Sequence, residues 1–511
     1  MRNCGWLLLL VGGALMVLGC RRNEPAASSV QAGSASEIAW REGDIEDAFA
    51  EAKATNKPVL LYWGAKWCPP CNIMKQALFK DPAFVARTAS FVSVHLDGDA
   101  KDAQLWGDRF GIQGYPTIII LSPERREITR LTGSSTAAAL ADTLRLAADR
   151  SSSIEDLLNR ARNPKTLSRG DWNVLANFDW QHDPVHFGDL AKGAQFYAHL
   201  GDAAPYPAMA RHFALTSLIM ATKGADTPKL SPAQQAEIRA ILPPILTDYR
   251  EAKVNRQELS YDGARLILAL PADGGRQKLG EQFVAALERI GADTSLSLDD
   301  RLVAVNGEIE LSQGLRGGKI APDVLARVRQ RVAVVDKAAT DPWTRQSVIY
   351  DAGEALWRAG DTANAEKLIR SELPRAIGPY LYMLDLASIE EEEKHYDRAI
   401  GWLRRAADTA QGPATRVQWA TIYSSGVIRM APDDEAAVEA GADAVVQALS
   451  QNSSGYAERT AKRAMSWAAK MHEWSDKYRG AAVLARLQDE LDKACAKGRC
   501  KNVLRESSKP G

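Results

Sequence analysis

Residues 57–71 read KPVLLYWGAKWCPPC, an apolar run that leads into two cysteines separated by two prolines. The run 59–63 has the length and continuous hydrophobicity of a central strand that is covered on both faces. The residues that follow Cys71, 72–79, are compatible with a helix. A helix N-terminus stabilises a thiolate and lowers the pKa of the first cysteine, and a bridge between two such close cysteines opens easily. The spacing therefore indicates a redox pair.

The sequence on either side of this stretch completes an α/β pattern. A helix is expected before the strand, at 44–55, and a closing helix at 137–148. From residue 59 onward the predicted order is β-α-β-α-β-β-α. The intermediate elements are a strand at 89–96, a helix at 103–110, a strand at 118–121, a turn at 122–127 and a strand at 128–131.

Four stretches carry a resemblance to a known family. They are KPVLLYWGAKWCPPC at 57–71, DPAFV at 81–85, GIQGYPTII at 111–119 and LSPERREITRLTG at 121–133. The segment 37–150 resembles a thioredoxin-fold domain, and it is most similar to the C-terminal thioredoxin-like domain of the DsbD-type disulfide reductases. The resemblance covers about a fifth of the chain.

This resemblance implies a role for each residue near the cysteines. Cys68 would be the exposed nucleophile and Cys71 the resolving thiol of a redox-active disulfide. Pro116 would be a cis-proline beside them, and an X-Pro bond is the usual place for a cis peptide. The backbone of Tyr115 would pair with an extended substrate segment, and Trp67 would cover one side of the thiol.

Three positions depart from the family pattern. Thioredoxins place a buried aspartate six residues before the first cysteine, where this chain has Tyr62, and the DsbD-type domain has a glutamate after the motif, where this chain has Lys75. No carboxylate is therefore evident for the proton of Cys71. The dipeptide Pro69-Pro70 replaces Gly-Pro. Because the residues between the cysteines tune the redox potential, the direction of electron flow stays open.

A zinc site is the alternative interpretation of two neighbouring cysteines. A structural zinc ion needs four ligands, and the sequence offers no second cysteine or histidine pair nearby, since His95 stands alone. We therefore expect neither a metal nor another cofactor.

Residues 1–20 predict an export signal. A basic start precedes an apolar run, 6–18, that is short for a membrane span and is followed by arginines. The tetrad 17–20 resembles a bacterial lipobox, which implies that Cys20 is lipidated. An ordinary cleaved signal and an uncleaved anchor are the alternatives. The residue after the cysteine is not aspartate, which favours an outer-membrane lipoprotein on the periplasmic side, and 21–36 reads as a small, polar tether.

From 151 to 505 the sequence predicts helices alone. Strand-like runs disappear, and amphipathic stretches follow one another between Gly, Pro and Asp residues, as in α-solenoids. Around 345–410 a 34-residue period resembles tetratricopeptide repeats, and a generic helical stack is the alternative. The recurring positions are Gly353, Ala365 and Ile369, then Ala387, Ala399 and Leu403. We therefore predict a multidomain chain, an α/β thioredoxin fold followed by an all-α, tetratricopeptide-like region.

Two further cysteines lie near the C-terminus, in the sequence CAKGRC at 495–500. In an oxidising compartment Cys495 and Cys500 are expected to form a structural disulfide, with free thiols or a second redox pair as alternatives. Residues 506–511 are expected to be a disordered tail.

Charge and composition exclude several classes of function. The 511 residues carry 64 basic and 64 acidic side chains, so no bulk positive field would attract nucleic acid, and no nucleic-acid partner is expected. Six cysteines are too few for a disulfide-rich scaffold. After the N-terminal signal no apolar run reaches about 18 residues, so no other membrane span is predicted.

These observations predict a membrane-tethered periplasmic thiol–disulfide oxidoreductase that acts on protein thiols and disulfides. The helical region would present or select the protein partner, and a membrane electron donor of the DsbD type is a candidate partner. The competing hypothesis is an envelope scaffold whose helical repeats bind a partner, with the redox centre as a sensor or accessory.

Overall fold

The computed structural model describes residues 37–506, apart from 77, 113, 133–143, 145–146, 148–152, 179, 181–182, 225–227, 453–455 and 496–498. The expected signal and tether, with Cys20, lie outside the described residues, as do the last five residues of the tail. Most of the expected closing helix lies outside them too. Two of its residues, Leu144 and Ala147, are described, and both are helical and buried.

Five strands form one mixed sheet. They are β1 (Arg41–Glu42), β2 (Val59–Gly64), β3 (Val92–Asp97), β4 (Thr117–Leu121) and β5 (Glu127–Thr132). Their spatial order is β1-β3-β2-β4-β5. Strand β3 runs parallel to β1 and β2, whereas β4 runs antiparallel to β2 and β5. Strand β2 lies at the centre and is buried along its whole length, as its continuous apolar run predicts.

Among the described residues four helices with defined bounds lie on the two faces of the sheet, in addition to the helical residues Leu144 and Ala147. They are α1 (Ile45–Thr55), α2 (Pro69–Gln76), α3 (Pro82–Thr88) and α4 (Lys101–Arg109). Helices α1 and α4 pack on the face that carries Leu61 and Trp63, and helices α2 and α3 pack on the face that carries Leu60 and Tyr62. Because successive side chains of a strand point to opposite faces, β2 supplies both halves of the core.

The structure corrects two of the predicted elements in this domain and adds two that were not predicted, helix α3 and strand β1. The strand expected at 89–96 begins only at Val92, because residues 89–91 form a turn after α3, in which the N–H groups of Ser90 and Phe91 donate to carbonyls of the last helical turn. Asp81 caps α3 and a proline opens it. The helix expected from residue 72 begins earlier, at Pro69, because proline is well suited to the first position of a helix. The two-residue edge strand β1 was not predicted, because so short a strand has no periodicity.

Among the described residues from 154 to 506, every regular element is helical, which confirms the all-α region. The helices are α5 (Ile154–Ala161), α6 (Arg169–Ala176), α7 (Pro184–Phe187), α8 (Leu190–Ala203), α9 (Pro207–Thr222), α10 (Pro232–Thr247), α11 (Tyr249–Val254), α12 (Arg256–Glu258), α13 (Ala264–Leu268), α14 (Gly274–Ala292), α15 (Leu298–Leu315), α16 (Pro322–Ala338), α17 (Pro342–Arg358), α18 (Thr362–Glu372), α19 (Pro379–Glu392), α20 (Tyr396–Thr409), α21 (Pro413–Met430), α22 (Glu435–Gln451), α23 (Glu458–Tyr478), α24 (Ala481–Ala494) and α25 (Val503–Glu506). No helix in this part of the chain or in the sheet domain, as far as the structure describes them, is both long and apolar enough to cross a membrane.

Successive helices of this region pack in pairs joined by short loops, such as α17 with α18 and α19 with α20. The six positions of the predicted 34-residue period are all buried. At Gly353 the two helices of a pair come close together, since an added methyl group would lie 2.7 Å from Cγ1 of Ile369. A glycine at that position lets the helices approach, and the tetratricopeptide-like character of the region stays a prediction.

Candidate functional site

The two cysteines lie where strand β2 leads into helix α2. Cys68 precedes Pro69, the first residue of α2, and Cys71 lies in the first turn. Their Sγ atoms are bonded, 2.04 Å apart, and the backbone N–H of Cys71 donates to Sγ of Cys68 over 3.2 Å. The sulfur of Cys68 therefore occupies the position of a helix cap, where an N–H group and the helix dipole stabilise a thiolate.

The structure brings Trp67 and Tyr115 to the disulfide. Both aromatic side chains pack against the cluster that contains Cys68 and Cys71, and their ring centroids are 6.4 Å apart. The peptide bond from Tyr115 to Pro116 is cis, and Pro116 is buried. The wall of the site is therefore built from two loops, one before α2 and one before β4.

Cys68 is not the exposed nucleophile that the resemblance implies. Its residue is 2% exposed, and Cys71 is 0% exposed. Trp67 and Tyr115 pack against the two cysteines, and the helical region lies over the CPPC turn, since α17 packs along α2 and α23 packs on α4. We call this arrangement the closed site.

Helix α17 covers the start of α2. The hydroxyl of the fully buried Ser347 lies 2.5 Å from the carbonyl oxygen of Pro69 and 3.0 Å from that of Trp343, one turn earlier in its own helix. The carbonyl of Pro69 belongs to the turn between the two cysteines. The helical region thus contacts the backbone of the redox motif itself.

Asp99 joins the tryptophan of the site to helix α21. Its Oδ2 accepts a hydrogen bond from Nε1 of Trp67 over 3.2 Å, and its Oδ1 accepts bonds from the backbone N–H and the hydroxyl of Thr415 over 2.8 and 2.7 Å. Because Thr415 is the third residue of α21, the carboxylate caps a helix of the other region. Burial raises the pKa of Asp99, and the hydrogen bonds from Thr415 oppose that shift.

A glycine before α21 makes room for this carboxylate. Gly412 has a φ of +92°, a conformation that residues with a side chain rarely adopt. A Cβ atom there would also lie 2.6 Å from Cγ of Asp99. Both constraints select glycine at this position.

The first turn of α23 lies over the aromatic wall. The guanidinium carbon of Arg459 is 5.1 Å from the ring centroid of Trp67 and 4.8 Å from that of Tyr115. Next to it, the hydroxyl of Thr460 donates to Oε1 of Gln104 over 3.0 Å, and Nε2 of Gln104 donates to the hydroxyl of Tyr115 over 3.1 Å. Both rings therefore have the helical region on their outer side.

These covering residues were not predicted from the sequence. They are Asp99 and Gln104 in the sheet domain and Ser347, Thr415, Arg459 and Thr460 in the helices. The first two follow strand β3, whose end pairs with the end of β2 through Asp97 and Gly64. A search for polar residues after neighbouring strand ends could have found them. The partners of Asp99 and Gln104 in the helices lie 316 and 356 positions away in the chain and leave no local signal.

The position six residues before Cys68 holds no carboxylate. Tyr62 occupies that position; it is buried, and its hydroxyl has no hydrogen-bond partner among the described residues. Burial and the charge of Asp97 raise the pKa of Tyr62, so the phenol keeps its proton. Lys75 lies one turn after Cys71 in α2. Burial lowers the pKa of Lys75, while the charges of Asp97 and Glu42 raise it.

The second cysteine pair lies in the C-terminal core. The structure joins Cys495, at the end of α24, to Cys500, and both residues are buried. They belong to the same apolar cluster as Trp467 and Leu491. Cys495 follows the C-terminal end of α24, where the helix dipole does not stabilise a thiolate, and this favours a structural role over a redox role.

One group of side chains among the described residues has the composition of a metal site, namely Glu390, Glu393 and His395. The guanidinium of Arg398 donates to Oε2 of Glu390 over 2.8 Å and also contacts the imidazole of His395. Because an arginine already supplies the positive charge there, this cluster does not point to a metal ion.

The helical region also presents a concave groove between α19, α21 and α23. It has a volume of about 310 Å³. Trp467 and Lys470 line it, as do Arg429 and Glu391, which form a two-bond ion pair. Two of these helices, α21 and α23, also supply residues that lie over the redox pair, as α17 does. The groove is thus a candidate partner surface, and two of the helices that line it also lie over the closed site.

Comparisons with known proteins support the assignment of the N-terminal domain as thioredoxin-like. Residues 39–123 match a family model described as thioredoxin-like. The thiol:disulfide interchange protein DsbD 1 of Pseudomonas aeruginosa is 34% identical over 110 residues, which are 21% of this chain and 19% of that protein. DsbD of Vibrio vulnificus is 31% identical over 149 residues, 26% of this chain and 25% of the relative.

The chain thus matches at most about a quarter of the length of these relatives. The chain contains a thioredoxin-like domain with the cysteine pair of a thiol–disulfide oxidoreductase, followed by a helical region.

Proposed function

We propose that this protein is a thiol–disulfide oxidoreductase that acts on protein disulfides through Cys68 and Cys71. The observation that carries the proposal is the bonded cysteine pair at the start of α2, with the sulfur of Cys68 in the cap position. This geometry stabilises the thiolate that attacks and that leaves, which is what reversible exchange needs.

In the reducing direction the reaction begins with both cysteines as thiols. The Cys68 thiolate attacks one sulfur of a substrate disulfide, a mixed disulfide forms, and the other substrate sulfur leaves as a thiolate that takes up a proton. Cys71 then loses its proton and attacks Sγ of Cys68, which releases the second substrate sulfur. Two electrons pass from the cysteine pair to the substrate, and the reverse sequence makes the protein an oxidant.

We further propose that the helical region selects the protein partner. The cover that α17, α21 and α23 form over the redox pair supports this role, since a substrate reaches Cys68 only after part of the cover has moved. The groove between α19, α21 and α23 is a surface on which a partner could act on the same helices.

The setting that we propose is the periplasmic side of the cell envelope, with a lipid on Cys20 as the membrane anchor and a membrane electron donor of the DsbD type as redox partner. The support is the signal-like sequence 1–20 and the lipobox-like tetrad. Metabolic labelling with a fatty acid tests the anchor, because Cys20→Ser should abolish the label. Labelling that persists in this variant would contradict the assignment.

A trapping experiment tests the enzymatic function. Cys71→Ala should accumulate mixed disulfides with proteins through Cys68, because the resolving thiol is gone. The double variant Cys68→Ala, Cys71→Ala retains the C-terminal pair and serves as the control. If the single variant captures no more protein than the double one, and the wild type does not reduce insulin, the enzymatic proposal fails and the scaffold hypothesis gains.

The direction of electron flow is measured separately. Equilibration of the Cys68–Cys71 pair with glutathione gives its redox potential, and for a two-electron couple each tenfold change in the equilibrium constant is about 30 mV. A potential near that of thioredoxin would identify a reductant, and one near that of DsbA would identify an oxidant.

A further inference from the structure

A positively charged side chain lies over the two aromatic rings that pack against the disulfide. Cys68 is enclosed by Trp67 and Tyr115, and the guanidinium of Arg459 lies over both rings. The two rings are part of the wall of the site itself. Trp67 is bonded to Asp99 and Tyr115 to Gly98, both within the same domain. The residue that comes from outside the domain is therefore the one to move.

Arg459 is held there incompletely. Its Nη2 is buried and has no hydrogen-bond partner among the described residues. An unpaired buried donor weakens an arrangement, because water would satisfy it once the side chain left. What holds Arg459 is its position over two aromatic rings, together with the hydrogen bond of Thr460 to Gln104 beside it.

The positive charge of Arg459 also favours the ionised form of a carboxyl group nearby. Asp99 lies behind Trp67, largely buried, and the charge of Arg459 lowers its pKa against the larger effect of burial. If Arg459 leaves and nothing replaces it, the carboxylate stays buried without a cation, which is unfavourable. A substrate that brings its own cation avoids this cost.

We infer that the place over Trp67 and Tyr115 binds a basic side chain that lies next to the disulfide of the substrate, and that Arg459 occupies this place until a substrate arrives. The inference rests on the proposed oxidoreductase function and names the class of substrate, a protein segment with an arginine or lysine beside its disulfide cysteine. Such a side chain displaces Arg459, takes its position over the two rings and neutralises Asp99. An acidic segment cannot do so.

The test uses disulfide-linked peptides with arginine, serine or glutamate next to the cysteine. Each exchange rate with the full-length protein is divided by the rate of the same peptide with dithiothreitol, which removes the intrinsic reactivity of the peptide. The wild type should favour the arginine peptide over the glutamate peptide about tenfold. Arg459→Ala should accelerate the reaction with all three peptides roughly fivefold, the effect expected for losing a modest contact from the closed site.

Three variants control this result. Lys462→Ala removes an exposed cation three residues further along α23 and should behave as the wild type. Arg459→Lys keeps the charge and should stay close to the wild-type rates. Thr460→Val removes the neighbouring bond to Gln104 and should accelerate exchange too. The inference is wrong if Arg459→Ala is no faster than Lys462→Ala, or if the wild type shows no preference for the arginine peptide.

A second measurement does not depend on exchange activity. Reduced protein is alkylated with iodoacetamide over a range of pH, and modification of Cys68 is followed by mass spectrometry. The limiting rate at high pH reports access, and the midpoint reports the pKa of the thiol. Arg459→Ala should raise the limiting rate roughly fivefold. If no peptide reacts with the wild type or with Arg459→Ala, the proposed function fails. The alkylation rate alone then decides whether Arg459 restricts access to Cys68.

Discussion

Replacing Asp99 by alanine should open the closed site. In the structure the carboxylate accepts bonds from Nε1 of Trp67 and from the backbone N–H and hydroxyl of Thr415. Asp99→Ala leaves the indole N–H and the helix N–H without an acceptor. Only the docked arrangement suffers, because water satisfies both groups when α21 moves away.

The size of the effect follows from these contacts. An unsatisfied buried donor costs about 1–3 kcal/mol, and a lost helix cap costs about 1 kcal/mol. The helix N–H contributes both to the unsatisfied donors and to the lost cap, so the two costs are not simply added. We expect the closed form to be destabilised relative to the open form by about 3 kcal/mol in total. At about 1.4 kcal/mol for each factor of ten, the open form becomes roughly 100-fold more populated. Asp99→Asn keeps an acceptor oxygen and should increase the population of the open form less than about tenfold.

The assay is the alkylation rate of reduced Cys68 at a pH where the thiolate is fully formed. If the wild type reacts only through the open form, the rate in Asp99→Ala rises by the same factor as the open population. Asp102→Ala is the matched control, because Asp102 is an exposed carboxylate in the first turn of α4. Equal rates in the Asp99 and Asp102 variants, with unchanged circular dichroism, would refute the reasoning.

Three further substitutions test other parts of the structure. Gly353→Ala forces a methyl group against the buried isoleucine of the next helix and should lower the unfolding free energy by about 1–3 kcal/mol, measured by urea denaturation. Cys500→Ser breaks the bond to Cys495 and should cost about 2 kcal/mol, an amount that a reductant should also remove from the wild type. Burial raises the pKa of both Asp299 and Asp351, that of Asp299 to about 6. The protonated pair therefore stabilises the fold at low pH, and this contribution to the unfolding free energy is lost as the pH rises through the raised pKa values. Asp351→Asn should therefore raise the melting temperature more at pH 8 than at pH 5, and an equal shift at both values would contradict the assignment.

The helical region was predictable in type but not in its relation to the redox pair. Amphipathic stretches and helix breakers predict helices, because the hydrophobic period of a helix is a pattern among residues that are close together in the sequence. They do not state which end of which helix meets another domain. Thr415 and Arg459 look like ordinary residues of a first helical turn, and only their contacts with Asp99 and Trp67 reveal a function.

By itself the sequence determined the redox motif and the sheet around it. The apolar run of β2 and the CPPC turn at the start of α2 are local patterns, since one strand and one helix N-terminus are built from neighbouring residues. The tertiary structure alone decided that Cys68 is enclosed. That enclosure depends on hydrogen bonds between residues 278 to 356 positions apart, which form only when long helices have packed. Because such contacts are single side-chain matches without any period, no pattern in the sequence announces them.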